Sequence, residues 1–193
     1  MLLTHHRPHF VEARSTPQQW NERGRELFQR KLYPQAVACF EKAGRFLDRD
    51  ISKAYELHEH ARRSTTDQDR SFARAADEFR HCAESALHNP MAPRLYKKAG
   101  ECFVQAKDLR SAAECYAFAS EFTTAARLYR KAGMFDEAID LIKSTDGQPS
   151  GVDKTAGDEI IHVAKVEYAR TSNFQSVKWV HRVSGLLTWC LDK

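Results

Sequence analysis

The side chains that could perform chemistry in this chain do not form a known catalytic arrangement. Two histidines flank a glutamate in the run His58-Glu59-His60, which invites comparison with the zinc proteases. Those enzymes hold zinc with two histidines four residues apart on one helical face, whereas these two lie two residues apart and point to different faces. Three more histidines (His5, His6 and His9) lie near the N-terminus, where we expect a solvated arm. The sequence therefore predicts no metal site.

One glycine-bearing segment, residues 147–155, superficially resembles a phosphate-binding loop. Such a loop carries its lysine directly after the second glycine and follows a buried strand. Here Lys154 lies three residues beyond Gly151, and no strand-like run precedes the segment. We therefore expect no ATP binding and no cofactor, and we expect that the chain itself is not an enzyme.

The five cysteines are odd in number and scattered, and no two have the Cys-x-x-Cys spacing of a redox or zinc motif. They are Cys39, Cys82, Cys102, Cys115 and Cys190. Most fall on the small-residue side of predicted helices, so we expect buried, reduced thiols and an intracellular protein, cytoplasmic or nuclear. We find no apolar run of about 18 residues and no signal-peptide core, so we expect no membrane association.

A pattern of large and small residues repeats every 13 positions. It predicts the helices that carry these side chains. The four copies are Tyr96–Ala99–Phe103–Ala106, Leu109–Ala112–Tyr116–Ala119, Phe122–Ala125–Tyr129–Ala132 and Phe135–Ala138–Ile142. Steps of 3, 4 and 3 place each copy on one face of a helix. Thirteen residues at about 100° each turn that face by about 220°, so one continuous helix cannot keep it on one side. Breaks are predicted at Lys107-Asp108, Ser120-Glu121 and Gly133-Met134.

Short helices that reverse at each break and stack through their alanines form an α-solenoid. Further copies of the pattern are Tyr33–Ala36–Phe40–Ala43, Phe72–Ala75–Phe79–Cys82, Ile161–Ala164–Tyr168–Thr171 and Phe174–Val177–His181–Ser184. A coiled coil would repeat every 14 residues or so and would favour Leu and Ile. The predicted fold is all-α, a right-handed solenoid of antiparallel helix hairpins with at least eight helices and no sheet.

The pattern and the turn signals divide the chain into four segments. We expect a flexible arm at 1–15, helical repeats at 16–143, a turn-rich linker at 144–156 and a degraded helical pair at 157–193. Thr16-Pro17 is typical of a helix start, with threonine as the N-cap and proline in the first turn. Helices outside the four-copy block are predicted at about 17–30, 34–46, 48–64, 68–88, 157–171 and 174–189.

Two stretches resemble the tetratricopeptide repeat. The matching residues are Trp20, Gly24, Leu27, Tyr33, Ala36, Phe40 and Ala43, and again Tyr96, Gly100, Phe103, Ala112, Tyr116 and Ala119. The resemblance implies that the first helix of each pair lines a concave groove. By register, the groove residues are Asn21, Arg25, Phe28 and Gln29 in the first repeat and Arg94, Lys97, Glu101 and Val104 in the second. The chaperone-binding subclass carries lysine and then asparagine where this chain has Asn21 and Arg25, so chaperone-tail binding is not expected.

A longer stretch, residues 15–190, is similar to the helical region that follows the motor in large fungal UvrD-like (superfamily 1) helicases. These are related to the tetratricopeptide and ankyrin repeat-containing proteins of animals. The residues that carry the likeness include Ser15–Trp20, Tyr33–Ala36, Cys39–Gly44 and Gly133–Ala138. The resemblance implies a fragment or separate gene without the motor, and a helicase motor as a possible partner in cis.

The charge balance, 30 basic against 26 acidic residues, is too mild to demand a polyanionic partner. The leading functional prediction is a non-catalytic scaffold for protein–protein interaction, with an unidentified protein partner. A trafficking solenoid of the coat or adaptor type is the first alternative. The second is an accessory that binds nucleic acid, weakly at most, through basic residues between 61 and 98. These basic residues are Arg62, Arg63, Arg70, Arg74, Arg80, Arg94, Lys97 and Lys98.

Overall fold

The computed structural model describes residues 15–171 and Val180. Residues 15–171 form nine α-helices and contain no strand. The helices are α1 (Pro17–Gln29), α2 (Tyr33–Lys42), α3 (Phe46–Arg63), α4 (Gln68–Ser85), α5 (Ala92–Gln105), α6 (Leu109–Phe118), α7 (Phe122–Lys131), α8 (Phe135–Thr145) and α9 (Lys154–Arg170). Apart from Ser15 and Val180, the predicted arm and the helix predicted at 174–189 lie outside the described residues.

Each helix packs against the next one along the chain, and α7 also contacts α9. The predicted all-α class and the stacking of sequence neighbours are thereby confirmed. The right hand of the array and the antiparallel order of its helices stay predictions. None of the nine described helices combines the length and the apolarity that crossing a bilayer requires.

The 13-residue period corresponds to a repeated helix ending. After α5, the Lys107 N–H donates to the Val104 carbonyl (3.1 Å) and the Asp108 N–H donates to the Phe103 carbonyl (3.0 Å). This pair of bonds is the Schellman motif, which needs one residue in the left-handed region. The same motif ends α1, α2, α6 and α7, so the three predicted breaks are confirmed. The left-handed residues are Lys31, Gly44, Lys107, Ser120 and Gly133.

Several predicted helix boundaries were wrong; among them, the helix predicted at 68–88 ends at Ser85 and the one predicted at 157–171 begins at Lys154. The helix predicted at 34–46 ends at Lys42, because Gly44 adopts φ +67° and turns the chain. The following helix consequently begins at Phe46, two residues before the predicted start. The predicted start of α4 at residue 68 is confirmed; Asp67 lies at the N-cap position with φ +51°, and its side chain makes no capping hydrogen bond. The cap predicted at Thr16 is confirmed: its hydroxyl accepts from the Gln19 N–H (3.3 Å).

Small residues form the seams between helices, as the pattern predicts. The alanines at the close crossings are fully buried; they are Ala36, Ala75, Ala99, Ala112, Ala125 and Ala138. Two glycines allow still closer approach. A Cβ on Gly24 would lie 2.8 Å from the Phe40 ring, and one on Gly100 would lie 2.9 Å from the Tyr116 ring. Both distances are shorter than the contacts that real Cβ atoms make, so these crossings require glycine.

The buried side chains follow the helices in three neighbouring clusters. The first joins α1 and α2 around Leu27 and Phe40. The second and largest spans α3 to α6, with Phe79 and Cys102 among its fully buried members. The third joins α7, α8 and α9 around Ile139 and includes Val180. A core spread along successive helices in this way is typical of a repeat array.

Candidate functional site

The described cysteines belong to the core. Cys39, Cys82, Cys102 and Cys115 are buried and free. Burial raises the pKa of Cys82, Cys102 and Cys115 to about 12, so these thiols stay protonated and unreactive at neutral pH. Cys190 lies outside the described residues.

The His58-Glu59-His60 run separates in the structure as its spacing predicts. The His58 ring packs edge-on against Phe72 (5.9 Å between ring centroids), and burial lowers the pKa of this imidazole. His60 is exposed. Within residues 15–171, no three His, Cys, Asp or Glu side chains come together as metal ligands would. His5, His6 and His9 fall outside this range.

The segment resembling a phosphate loop, residues 147–155, forms most of the connection between α8 and α9 and enters the first turn of α9. The Asp153 carboxylate accepts a hydrogen bond from the Ala156 N–H (3.2 Å) and so caps the first turn of α9. A phosphate-binding loop would offer free N–H groups to an anion at this point. Here an acidic side chain of the chain itself occupies that position.

Three of the predicted groove residues lie together in one cleft. Arg25, Phe28 and Gln29 of α1 face Asp48 and Ile51 of α3 across a cleft of about 180 Å³. The cleft is completed by Phe40 of α2 and by Met91, which directly precedes α5. Three consecutive helices and the residue before α5 therefore contribute to it. We name this site the α1–α3 cleft.

The apolar wall of the α1–α3 cleft is held by aromatic packing. The Phe28 ring meets Tyr55 (5.1 Å between centroids) and Tyr33 (5.4 Å), both edge-on. Tyr55 in turn packs edge-on against the fully buried Phe79 (5.0 Å). Phe28 is therefore fixed by helices on both sides, which keeps the wall of the cleft in place.

The charges at the α1–α3 cleft do not balance. Asp48 is paired with Arg45 at 2.8 Å. Arg25 is exposed and makes no side-chain hydrogen bond or ion pair with any residue that the structure describes. The cleft thus combines apolar side chains with one uncompensated cation.

Two of the predicted groove residues in the second repeat, unlike Arg25, are already paired with opposite charges. Lys97 is paired with Glu121, which precedes α7, at 2.6 Å, and Glu101 is paired with Lys98 at 2.7 Å. Burial alone would lower the pKa of Lys98, but the hydrogen bond to Glu101 and the attraction of that carboxylate's charge together outweigh burial and raise the pKa. Val104 packs against the largest buried cluster, and Arg94 is exposed.

Three of the four residues in each predicted set occupy equivalent positions 76 residues apart. Gly24 and Gly100 correspond, as do their ring partners Phe40 and Tyr116. By the same offset, the unpaired Arg25 corresponds to Glu101, whose charge is compensated by Lys98. The repeats share a backbone arrangement and differ in charge at the groove position.

One further predicted residue has an unusual environment. The Asn21 side-chain oxygen is buried and accepts no hydrogen bond within the described part of the chain. Asn21 lies one turn before Arg25 on α1, which extends the polar edge of that helix.

The sequence did not reveal the α3 side of the cleft. Asp48 and Ile51 lie outside the 13-residue pattern, because α3 is an 18-residue helix rather than a 10-residue one. From Asp48 to Ile51 is three residues, and from Ile51 to Tyr55 is four. This spacing is the signal that could have placed the three residues on one face of a helix. Met91 carries no such signal, since it lies before the first residue of α5.

Comparison of the chain with protein-family models, with curated proteins and with solved structures gave no match.

Proposed function

We propose that this chain is a non-catalytic scaffold for protein–protein interaction. The observation that carries the proposal is the α1–α3 cleft, where an apolar wall and the uncompensated Arg25 lie open between successive helices. Concave sites with an apolar lining and a few polar groups are the usual form of a binding site. The proposed partner is a protein, and no cofactor takes part.

The proposed architecture is a right-handed array of antiparallel helix hairpins. Its support is the connections between helices, because three residues such as Arg30–Leu32 allow only a chain reversal between neighbours. Residues 43–45, 106–108 and 119–121 form connections of the same length. The tetratricopeptide resemblance supplies the proposed hand.

The proposal of a helicase motor in cis rests on the resemblance of residues 15–190 to the helical region of UvrD-like helicases. A motor would give the scaffold a partner within the same polypeptide. A coat or adaptor role would use the same stacked helices.

Weak nucleic-acid binding is the second candidate, and the ion pairs weigh against its being strong. Many of the basic residues between 61 and 98 have acidic neighbours, including Arg80 with Asp77 (2.7 Å) and Arg62 with Glu59 (3.3 Å). A phosphate backbone would have to displace these carboxylates. We expect the residual binding to fall steeply with salt, as counterion release requires.

Selection from a displayed library of random 12-residue peptides tests the scaffold proposal. Immobilised full-length chain should enrich a related set of peptides whose synthetic versions compete with one another for one site. A helical protein of similar size and charge serves as the control for non-specific enrichment. Absence of any enriched set would contradict the proposal.

A gel-shift titration tests the second candidate function, weak nucleic-acid binding. The full chain should shift single-stranded DNA or RNA only at low salt, and the shift should be lost between about 50 and 200 mM salt. Tight nucleic-acid binding that survives the higher salt would overturn the preference for a protein partner.

A further inference from the structure

We propose that the α1–α3 cleft binds a peptide segment of the partner protein that carries one large apolar side chain next to a carboxylate. This inference rests on the proposed scaffold function and specifies the chemistry of what the scaffold holds. It is argued from the volume and lining of the cleft and from the charges around it.

The apolar part of the inference follows from the size and lining of the cleft. Its volume of about 180 Å³ is slightly larger than the cavity of about 150 Å³ that accommodates benzene in another protein. Phe28, Phe40 and Ile51 line it, and Met91 stands at the rim with 37% of its surface exposed. Such a space fits a single leucine, methionine or phenylalanine side chain. Burying that side chain would also cover Met91, which solvent now reaches.

The acidic part of the inference follows from charge complementarity. Arg45 neutralises Asp48, so the remaining charge at the cleft is that of Arg25. A guanidinium presents two parallel N–H groups that match a carboxylate, which gives a bidentate pair. Gln29 is exposed beside Arg25 and offers both a donor and an acceptor to a peptide backbone.

The internal repeat explains why one site and not two is expected. At the position equivalent to Arg25, the second repeat carries Glu101, which Lys98 already neutralises. A carboxylate-bearing peptide gains no free cation there. The charge at this one position therefore favours the first repeat over the second, although a glycine approaches an aromatic ring in the same way in both repeats.

The test uses the full-length chain and the random 12-residue library, with selections on wild type and on Arg25→Glu in parallel. Synthetic versions of the enriched peptides, and versions with each acid changed to its amide, are then titrated by fluorescence anisotropy. Arg74→Glu is the matched control, because Arg74 is an exposed cation on α4 that does not line the cleft. Met91→Gln tests the apolar part at a rim position, where 37% of the residue's surface is already exposed.

We expect peptides that combine an apolar anchor with a nearby Asp or Glu. Arg25→Glu and the acid-to-amide change should each weaken binding roughly tenfold, as loss of a charged hydrogen bond predicts. Met91→Gln should weaken binding several-fold, and Arg74→Glu should leave it unchanged. Enriched peptides that lack an acid and bind Arg25→Glu as tightly as wild type would overturn this inference and leave the scaffold proposal standing. A library that yields no peptide at all would overturn the scaffold proposal and, with it, the inference.

Discussion

Adding a single methyl group at Gly100 tests the close crossing of α5 and α6 directly. In Gly100→Ala, the new Cβ would lie 2.9 Å from two atoms of the Tyr116 ring and 3.4 Å from the Ala112 carbonyl oxygen. Carbon atoms in optimal contact lie about 3.5–4.0 Å apart, so the ring or the helix has to move by more than half an ångström. Gly157→Ala is the matched control, because its Cβ would meet Ile142 at 3.7 Å, an ordinary contact.

Both substitutions gain stability from the higher helix propensity of alanine, and only Gly100→Ala loses stability through overpacking. Alanine gains about 1 kcal/mol over glycine inside a helix, and this gain applies to both. Overpacking at Gly100 costs about 1–3 kcal/mol, and at Gly157 it costs nothing. We therefore expect Gly157→Ala to raise the free energy of unfolding by about 0.5–1 kcal/mol and Gly100→Ala to lower it by up to about 2 kcal/mol. The difference between them isolates the steric cost.

Urea unfolding followed by far-UV circular dichroism measures this difference. A double-mutant cycle with Tyr116→Ala supplies an independent check. Once the Tyr116 ring is removed, Gly100→Ala should stabilise the chain. If Gly100→Ala stabilises the wild-type chain as much as Gly157→Ala does, the assigned contact between α5 and α6 is wrong.

Three further predictions concern the seams, the helix endings and a buried histidine. Ala112→Leu should lower the free energy of unfolding by about 1–3 kcal/mol, because Ala112 is fully buried at the same crossing; a parental melting temperature would contradict this. Ser120→Gly should stabilise the chain by about 0.5–1 kcal/mol and Gly133→Ala should destabilise it similarly, since both residues have positive φ; equal thermal shifts of one sign would refute the assigned endings. Burial lowers the pKa of His58 from its ordinary value near 6.5, so the unfolded chain binds the proton more readily and stability should fall as the pH drops below about 6.5. Urea unfolding at about pH 7.5 and pH 5.5 measures the loss of unfolding free energy on acidification, which should be smaller in His58→Leu than in wild type. An equal loss in the two proteins would contradict the contribution of His58.

The sequence predicted those parts of the fold that depend on local spacing. The 13-residue steps locate the endings at Lys107, Ser120 and Gly133, because a Schellman motif involves only residues within one turn of the break. Gly24 and Gly100 were singled out by the tetratricopeptide resemblance, and both lie at close crossings, since a Cβ at either position would collide with an aromatic ring of the next helix. The helix ending at Gly44 was missed, because the predicted helix continued to residue 46, whereas a glycine with positive φ is the usual residue just past a helix end.

The candidate site depended on contacts that spacing does not encode. Arg25 and Lys97 were both predicted as groove cations from the sequence, yet of these two only Lys97 has an acidic partner, Glu121, which lies 24 residues away along the chain. The α3 residues of the cleft were likewise missed, because α3 departs from the length of the repeat. Tertiary packing therefore determines that Lys97 is paired with a carboxylate while Arg25 is not.

Amide hydrogen exchange on the full chain, with and without a library-selected peptide, tests the central claim most directly. The claim is that this helical array binds a protein segment at the α1–α3 cleft. We predict slower exchange confined to α1, the first half of α3 and the start of α5 when the peptide is bound, and no such change in Arg25→Glu. Protection that appears elsewhere on the array, or equally in Arg25→Glu, would contradict it.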